Sequence, residues 1–356
     1  MNNLRLAWKI GLGFGLVLLI LGILGLLATS RMESAQENST RMKDEYLPEV
    51  ALAARLERHV QQTLSAMRGY SYSAKPEYHA EALAELAQVE KALAEARELG
   101  DRYPRLVKLR EGIAKAQERH AEYVQMATDT KARIDLQAKD RAERVRLAGE
   151  VLAQSASFLK SQDSSLRAEI GRDAANEAIV ERYEKIALMG VIVQTVADIR
   201  IKILSGDSQD DVSQYVAALS LFPELEGNLD KIRGSTHQQA NLGRLDMLED
   251  RVIKFKLLVG KQIENTRALA ALGEKRAQAA RHLLDVAQAV AAAGMEQTSH
   301  LAEASDAGLE TSGRLLLGGL AVALALGATV AVLITRAITG PVRRGVDFAR
   351  TVAGGD

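Results

Sequence analysis

The stretch IGLGFGLVLLILGILGLLA, Ile10 to Ala28, and its counterpart LLLGGLAVALALGATVAVLIT, Leu315 to Thr335, run 19 and 21 residues without a charge. At helical rise each reaches roughly 28–32 Å, the thickness of a bilayer's hydrocarbon core. Both read as membrane-spanning helices. The rival for the first is a cleaved leader. Its apolar run is longer than such leaders carry and no A-x-A step follows it, so it reads as an anchor. Arg5 and Lys9 precede the first span, and Arg336, Arg343, Arg344 and Arg350 follow the second. These cations put both termini on the cytoplasmic side of a two-pass protein, although Arg31 and Arg314 lie on the outer side. The chain divides into a cytoplasmic tail (1–9), a first span (10–29), an external domain (30–313), a second span (314–335) and the start of a cytoplasmic relay (336–356).

Working outward, the external domain reads as helix almost throughout, so the expected fold class is all-α. It has no sustained period-2 alternation, and only 4% of the 356 residues are aromatic, as in helical bundles. The breaks are few. Lys75-Pro76 and Gly100 to Pro104 each end one helix and open another, proline suiting a first helical turn. Ser205-Gly206-Asp207-Ser208 and Gly234-Ser235-Thr236 repeat those two breaks at an offset of 132 residues. The polar cluster Ser161 to Ser165 is the preferred reversal between the halves, with Gly171 the alternative. The same offset lays Gln62 to Arg68 on Gln194 to Arg200, which suggests an internal duplication.

Length arithmetic then proposes a topology. Helices over ~30–75 and 77–100 sum to roughly 105 Å, against roughly 90 Å for ~104–162 and roughly 118 Å for ~236–314. The chain is therefore expected to climb in two stages and descend in one, twice over. That gives an elongated six-helix sensor made of two stacked four-helix bundles sharing the long helices.

The C-terminal Arg336-Ala337-Ile338-Thr339-Gly340-Pro341, with Ala349-Arg350-Thr351-Val352-Ala353-Gly354-Gly355-Asp356, resembles the entry and exit of the first helix of a HAMP relay. Lys9 to Gly15 and Tyr46-Leu47-Pro48 look like methyl-accepting chemotaxis receptors, and the duplicated plan resembles that group's helical bimodular sensor. The resemblance implies a homodimer in the bacterial inner membrane with a periplasmic sensor for small molecules, often organic acids. It also implies a cytoplasmic kinase and coupling protein as partners of a signalling part beyond Asp356.

Candidate ligand residues are polar groups placed where a bundle should be apolar, because a buried charge is costly unless paired. The seam read along helix three includes His120, Ala127, Lys131, Ile134, Arg141 and Val145; that of helix six includes Glu249, Val252, Lys256, Val259 and Thr266. Counted by height, Lys131 and Arg141 fall level with residues 73 and 64 of helix one, beside Arg68, with Arg200 as its repeat mate. Thr63, Thr195, Tyr70 and Thr266 lie nearby, so these eight form a candidate membrane-proximal pocket for an organic carboxylate. Arginine forks would bind the carboxylate and hydroxyls would orient it. A second candidate set is His120, Tyr123, Lys256 and Tyr215. The structural alternative is that these cations snorkel or pair internally, with Asp135 and Asp198 available to them.

No catalytic residue, metal site or cofactor is expected. The six histidines have no ligand spacing, no cysteine is present, and a net charge of zero gives no case for nucleic acid. Ligand binding is expected to displace helix six and so the second span, with Pro341 as the signal-relay point that decouples the span from the next helix. The rivals are the sensor module of a histidine kinase or nucleotide cyclase, and a membrane-tethered coiled-coil spacer.

Overall fold

The computed structural model describes residues 6–353; Arg5 and the Gly354-Gly355-Asp356 end of the HAMP-like motif lie outside them. Helix α1 (Leu6–Arg41) passes through a π-helical turn (Met42–Tyr46) into α2 (Leu47–Ser73). There follow α3 (Pro76–Arg102), α4 (Val107–Ile170), α5 (Asn176–Gln209), α6 (Val212–Leu219), α7 (Phe222–Gly234) and α8 (Gln239–Ala353). Among the described residues there is no strand, and the all-α class stands.

The path of the chain differs from the expected climb. Helix α3 turns back along α2 instead of continuing outward: His59 Nδ1 lies 2.6 Å from Glu85 Oε2, and Tyr70 stacks on His79 at 5.0 Å. Burial explains the reversal. Ala82, Leu86 and Val89 on α3 form a stripe that Val60, Met67 and Tyr70 on α2 can cover, and a straight continuation would leave both stripes wet. The connector needs only two residues because Ala74 adopts a left-handed φ of 54°. The α5–α6 hairpin repeats the device with Asp210 at φ 53°. In each hairpin a glycine admits a tyrosine ring from the returning helix, Gly69 under Tyr78 and Gly206 under Tyr215, where a Cβ would stand 3.0 Å from the ring.

Two further breaks move. Helix α4 runs through Ser161 to Ser165, held by Ser164 Oγ on the Lys160 carbonyl and an Asp163–Arg167 pair, and the chain reverses after Ile170 at Gly171 to Ala175. Helix α5 likewise runs through Ser205 to Ser208 and ends at Gln209. Helix α8 continues through Pro341 to Ala353, so the expected break there is absent; the missing N–H costs one rung and not the helix.

The described chain forms two compact units. Among the described residues, one comprises the chain up to Glu57, Lys91–Lys115 and the chain from Asp285 on, with a core of Tyr46, Leu52, Leu106, Leu109, Ile113 and Val290. It holds both apolar stretches, each on a helix long and apolar enough to cross a membrane. Their glycines allow close approach. A Cβ on Gly13 would stand 2.6 Å from Val330, and one on Gly319 would stand 2.6 Å from Leu24, while Gly11, Gly15 and Gly318 face open space.

The other unit comprises 58–90 and 116–284. Its largest core joins α4, α5, α7 and α8 through Phe158, Ile192, Val196, Leu225 and Val252. Phe222 meets Phe255 edge-on at 5.4 Å.

Candidate functional site

Two layers in the second unit are each built around a buried arginine, Arg144 and Arg276. The first is built on α4, α5 and α8. Arg144 is 2% exposed, because it lies one helical turn before Leu147 and Ala148 on the buried face of α4. Its Nη1 donates to Gln262 Oε1 at 2.7 Å and its Nη2 to Asp207 Oδ1 at 3.2 Å. Tyr215 donates to the same Asp207 oxygen at 2.7 Å, and Arg141 Nε reaches Oδ2 at 3.1 Å. Gln262 Nε2 donates onward to Thr266 Oγ1 at 3.2 Å. The Tyr215 ring lies 6.0 Å from the Arg144 guanidinium carbon, within cation–π reach.

Burial depresses the Arg144 guanidinium's proton affinity, with Asp207 opposing it. Burial and the bond to Asp207 push the Tyr215 phenol upward. One donor is left over: Arg144 Nε is buried with no partner. Beside it opens a cleft of about 310 Å³ whose walls include Val145, Ala148, Ile203, Leu204 and Phe255, with Arg141, Arg144, Arg200 and Asp207 at its polar side. The cleft has the size and mixed lining of a small-molecule site. Three guanidiniums face one carboxylate there, so a second carboxylate on a ligand has donors to meet.

The second layer is built on α2, α3, α4 and α8. Arg276 is 6% exposed, and its Nη1 and Nη2 donate to Thr130 Oγ1 at 2.5 Å and Ser71 Oγ at 2.9 Å. Among the described residues no carboxylate pairs with it. Burial lowers its proton affinity, and burial also pushes the Tyr123 phenol up to about 12, Arg276 and Arg68 opposing. The Tyr123 hydroxyl and His79 Nε2 are both buried without a hydrogen-bond partner. The burial that strands His79 Nε2 lowers the pKa of its imidazole.

The residues selected from sequence are divided between these layers. Arg141, Arg200 and Thr266 belong to the Arg144 layer, with Tyr215 from the second candidate set. Arg141 therefore meets Asp207 of α5, not helix one near residue 64, because α4 has already passed the end of α2 by that point. Tyr70, Arg68 and Tyr123 belong with Arg276. Arg68 is exposed, and Lys131 is exposed and paired with Asp135 at 2.6 Å. Thr63 and Thr195 are buried but return their hydroxyls to their own helices, at His59 O and Val191 O. The four residues of the second set are not gathered in one place: His120 bonds the Leu86 carbonyl at 3.0 Å, and Lys256 bonds Glu226 at 2.9 Å. Pro341 lies in the other unit within continuous α8. Among the described residues no cluster of His, Asp and Glu could hold a metal.

Arg144, Gln262 and Arg276 were missed because the seams were read one position off, and Asp207 because Ser205 to Ser208 was read as a break. The signal was present. Counting back from Leu147, Val151 and Phe158 gives Arg144, and counting back from Ala280, Leu283 and Ala287 gives Arg276.

Residues 3–150 match a family described as a four-helix bundle sensory module for signal transduction. The fold is similar to that of the TorS sensor domain, solved in complex with TorT in the presence of TMAO. The TM-score is 0.51 at 10% identity, over 68% of this chain and 98% of that one, a likeness of fold. No curated protein matches the chain by sequence.

Proposed function

We propose that this chain is the sensory part of a two-pass membrane receptor that binds a small organic anion in the Arg144 cleft. One observation carries the reading: three guanidiniums and a single carboxylate line a cleft whose remaining walls are apolar. A ligand carboxylate would take the Arg141 and Arg200 forks at the mouth and the unpartnered Arg144 Nε within. Arg144 bonds Gln262 on α8, so occupancy would bias the packing of the helix that leads to the second apolar stretch. Arg276, which lacks a carboxylate partner, is the candidate for a second and smaller anion contribution. A chemoreceptor acting on a separate kinase fits the sensory-module match and the HAMP-like end, with the sensor module of a histidine kinase or cyclase as the alternative.

The test is thermal unfolding of the full chain in detergent against small carboxylates and inorganic anions. A compound at about 100 times its dissociation constant adds about 2.7 kcal/mol of stability, and Arg200→Ala is expected to abolish that gain. A shift that survives Arg200→Ala moves the site elsewhere, and no shift with any compound rejects direct anion sensing.

A second reading has its own observation. TorS was solved with a protein partner, and the end of the α4–α5 hairpin here exposes Ile170, Val180 and Tyr183. A protein-borne signal would then replace the free ligand, and capture of a purified binding protein by the full chain, lost in Tyr183→Ser, would show it.

A further inference from the structure

The membrane-side unit contains two buried acids that the ligand reading does not use. Glu45 lies in the π-helical turn and is 8% exposed; Glu49, four residues on, is 2% exposed. The turn, closed by the Leu47 N–H on the Met42 carbonyl, places Glu45 on the buried side, where its Oε2 has no hydrogen-bond partner. Such turns insert a residue into a helix and are enriched at functional positions. Glu49 points at the backbone of α8: a Cβ on Gly294 would stand 3.1 Å from Glu49 Oε2 and 2.7 Å from Val50. The carboxyl thus packs directly against the α8 backbone, a position that disfavours its ionised form.

The surroundings do not neutralise it. On α8 the core-facing neighbours are Val290, Ala291, Gly294, Thr298 and Leu301, none of them charged, and Thr298 spends its hydroxyl on the Gly294 carbonyl. The charged and titratable groups of this layer are Arg41, Glu45 and Tyr46 on the same rod, Arg105 before α4, and Glu95, Glu98 and Arg102 on α3 with Arg55 on α2. Arg55 is engaged with Glu95. Burial alone pushes the Glu49 carboxyl up to about 7.

We propose that Glu49 is a proton-responsive contact, neutral and packed against Gly294 in acid, and ionised with the α2–α8 crossing opened as the outside becomes alkaline. The device is separate from the anion cleft, and it acts on the stretch of α8 that enters the second apolar segment. Because folding raises the affinity of this acid for its proton, the native state binds more protons than the unfolded chain between the two pKa values. Stability therefore falls as pH rises from the ordinary carboxylate value toward about 7, then levels off.

The chain has no cysteine, so Ala54→Cys and Met295→Cys give one spin label on each helix of the full protein in lipid nanodiscs. The label distance is expected to lengthen by ~3 Å, the width of one water, between about pH 5.5 and about pH 8.5. Glu49→Gln is expected to hold the acid-side distance at both. Equal distances in the unsubstituted background, or a lengthening that survives Glu49→Gln, overturn the proposal. If Glu49→Gln does not fold, the midpoint of the change decides: near pH 7 it supports Glu49, and at the ordinary carboxylate value, below about 5, it overturns it.

Discussion

Arg144 and Arg276 are both buried guanidiniums in the same unit, yet they are neutralised in opposite ways. Arg144 has a carboxylate, an amide and a tyrosine arranged around Asp207, whereas Arg276 has only two hydroxyls. The first layer is close to a closed ion-pair network with one donor to spare. The second is, among the described residues, a cation without a counter-charge, near the Tyr123 phenol whose hydroxyl has no partner. The difference shows that burial of a cation does not by itself identify its purpose. The pairs around Arg144 hold three helices in register and still leave its Nε unused, whereas Arg276 is held by hydroxyls alone.

Four substitutions test that contrast. Arg144→Met takes one of two guanidinium partners from the mostly buried Asp207 and leaves Gln262 Oε1 without its donor; it is expected to destabilise the protein by about 3 kcal/mol, measured by denaturant unfolding. Arg276→Met removes a charge that nothing neutralises, and the expected result is the opposite sign, a gain of about 1 kcal/mol. A loss as large as that of Arg144→Met would show that the two layers are energetically alike. The tyrosines give a second pair of substitutions on the same contrast. Tyr215→Phe breaks a hydrogen bond to a carboxylate and should cost about 1.5 kcal/mol, while Tyr123→Phe deletes a buried, partnerless hydroxyl and should be neutral or stabilising by under ~1 kcal/mol. If both tyrosines cost the same, the orphan status of Tyr123 is wrong.

Much of this was legible in the sequence, and unevenly. The uncharged runs at 10–28 and 315–335 and the prolines at 76 and 104 mark features that follow from local composition. The direction of α3 was not legible, because a helix's length does not say which way it runs; the answer lay in which stripe could cover which. The site was half legible for a related reason. A strict seven-residue reading drifts by about 20° per heptad against a straight helix, and along α4 that drift is enough to exchange Arg144 for Val145. Val145 proves 67% exposed. Arg200 and Arg141 were found for their charge, and Asp207 was overlooked because it sat in what looked like a turn.

Helix α8 carries Gln262, Thr266, Arg276, Gly294 and the second apolar stretch on one unbroken run from Gln239 to Ala353. Every one of those residues is therefore fixed in phase with the others. A single residue inserted between Thr266 and Gly294 would rotate all that follows by about 100°, whereas seven would restore the faces to within about 20°. The spacing along this helix is thus as much a part of the protein as its side chains, and length changes within it should be tolerated in sevens and rejected in ones and twos.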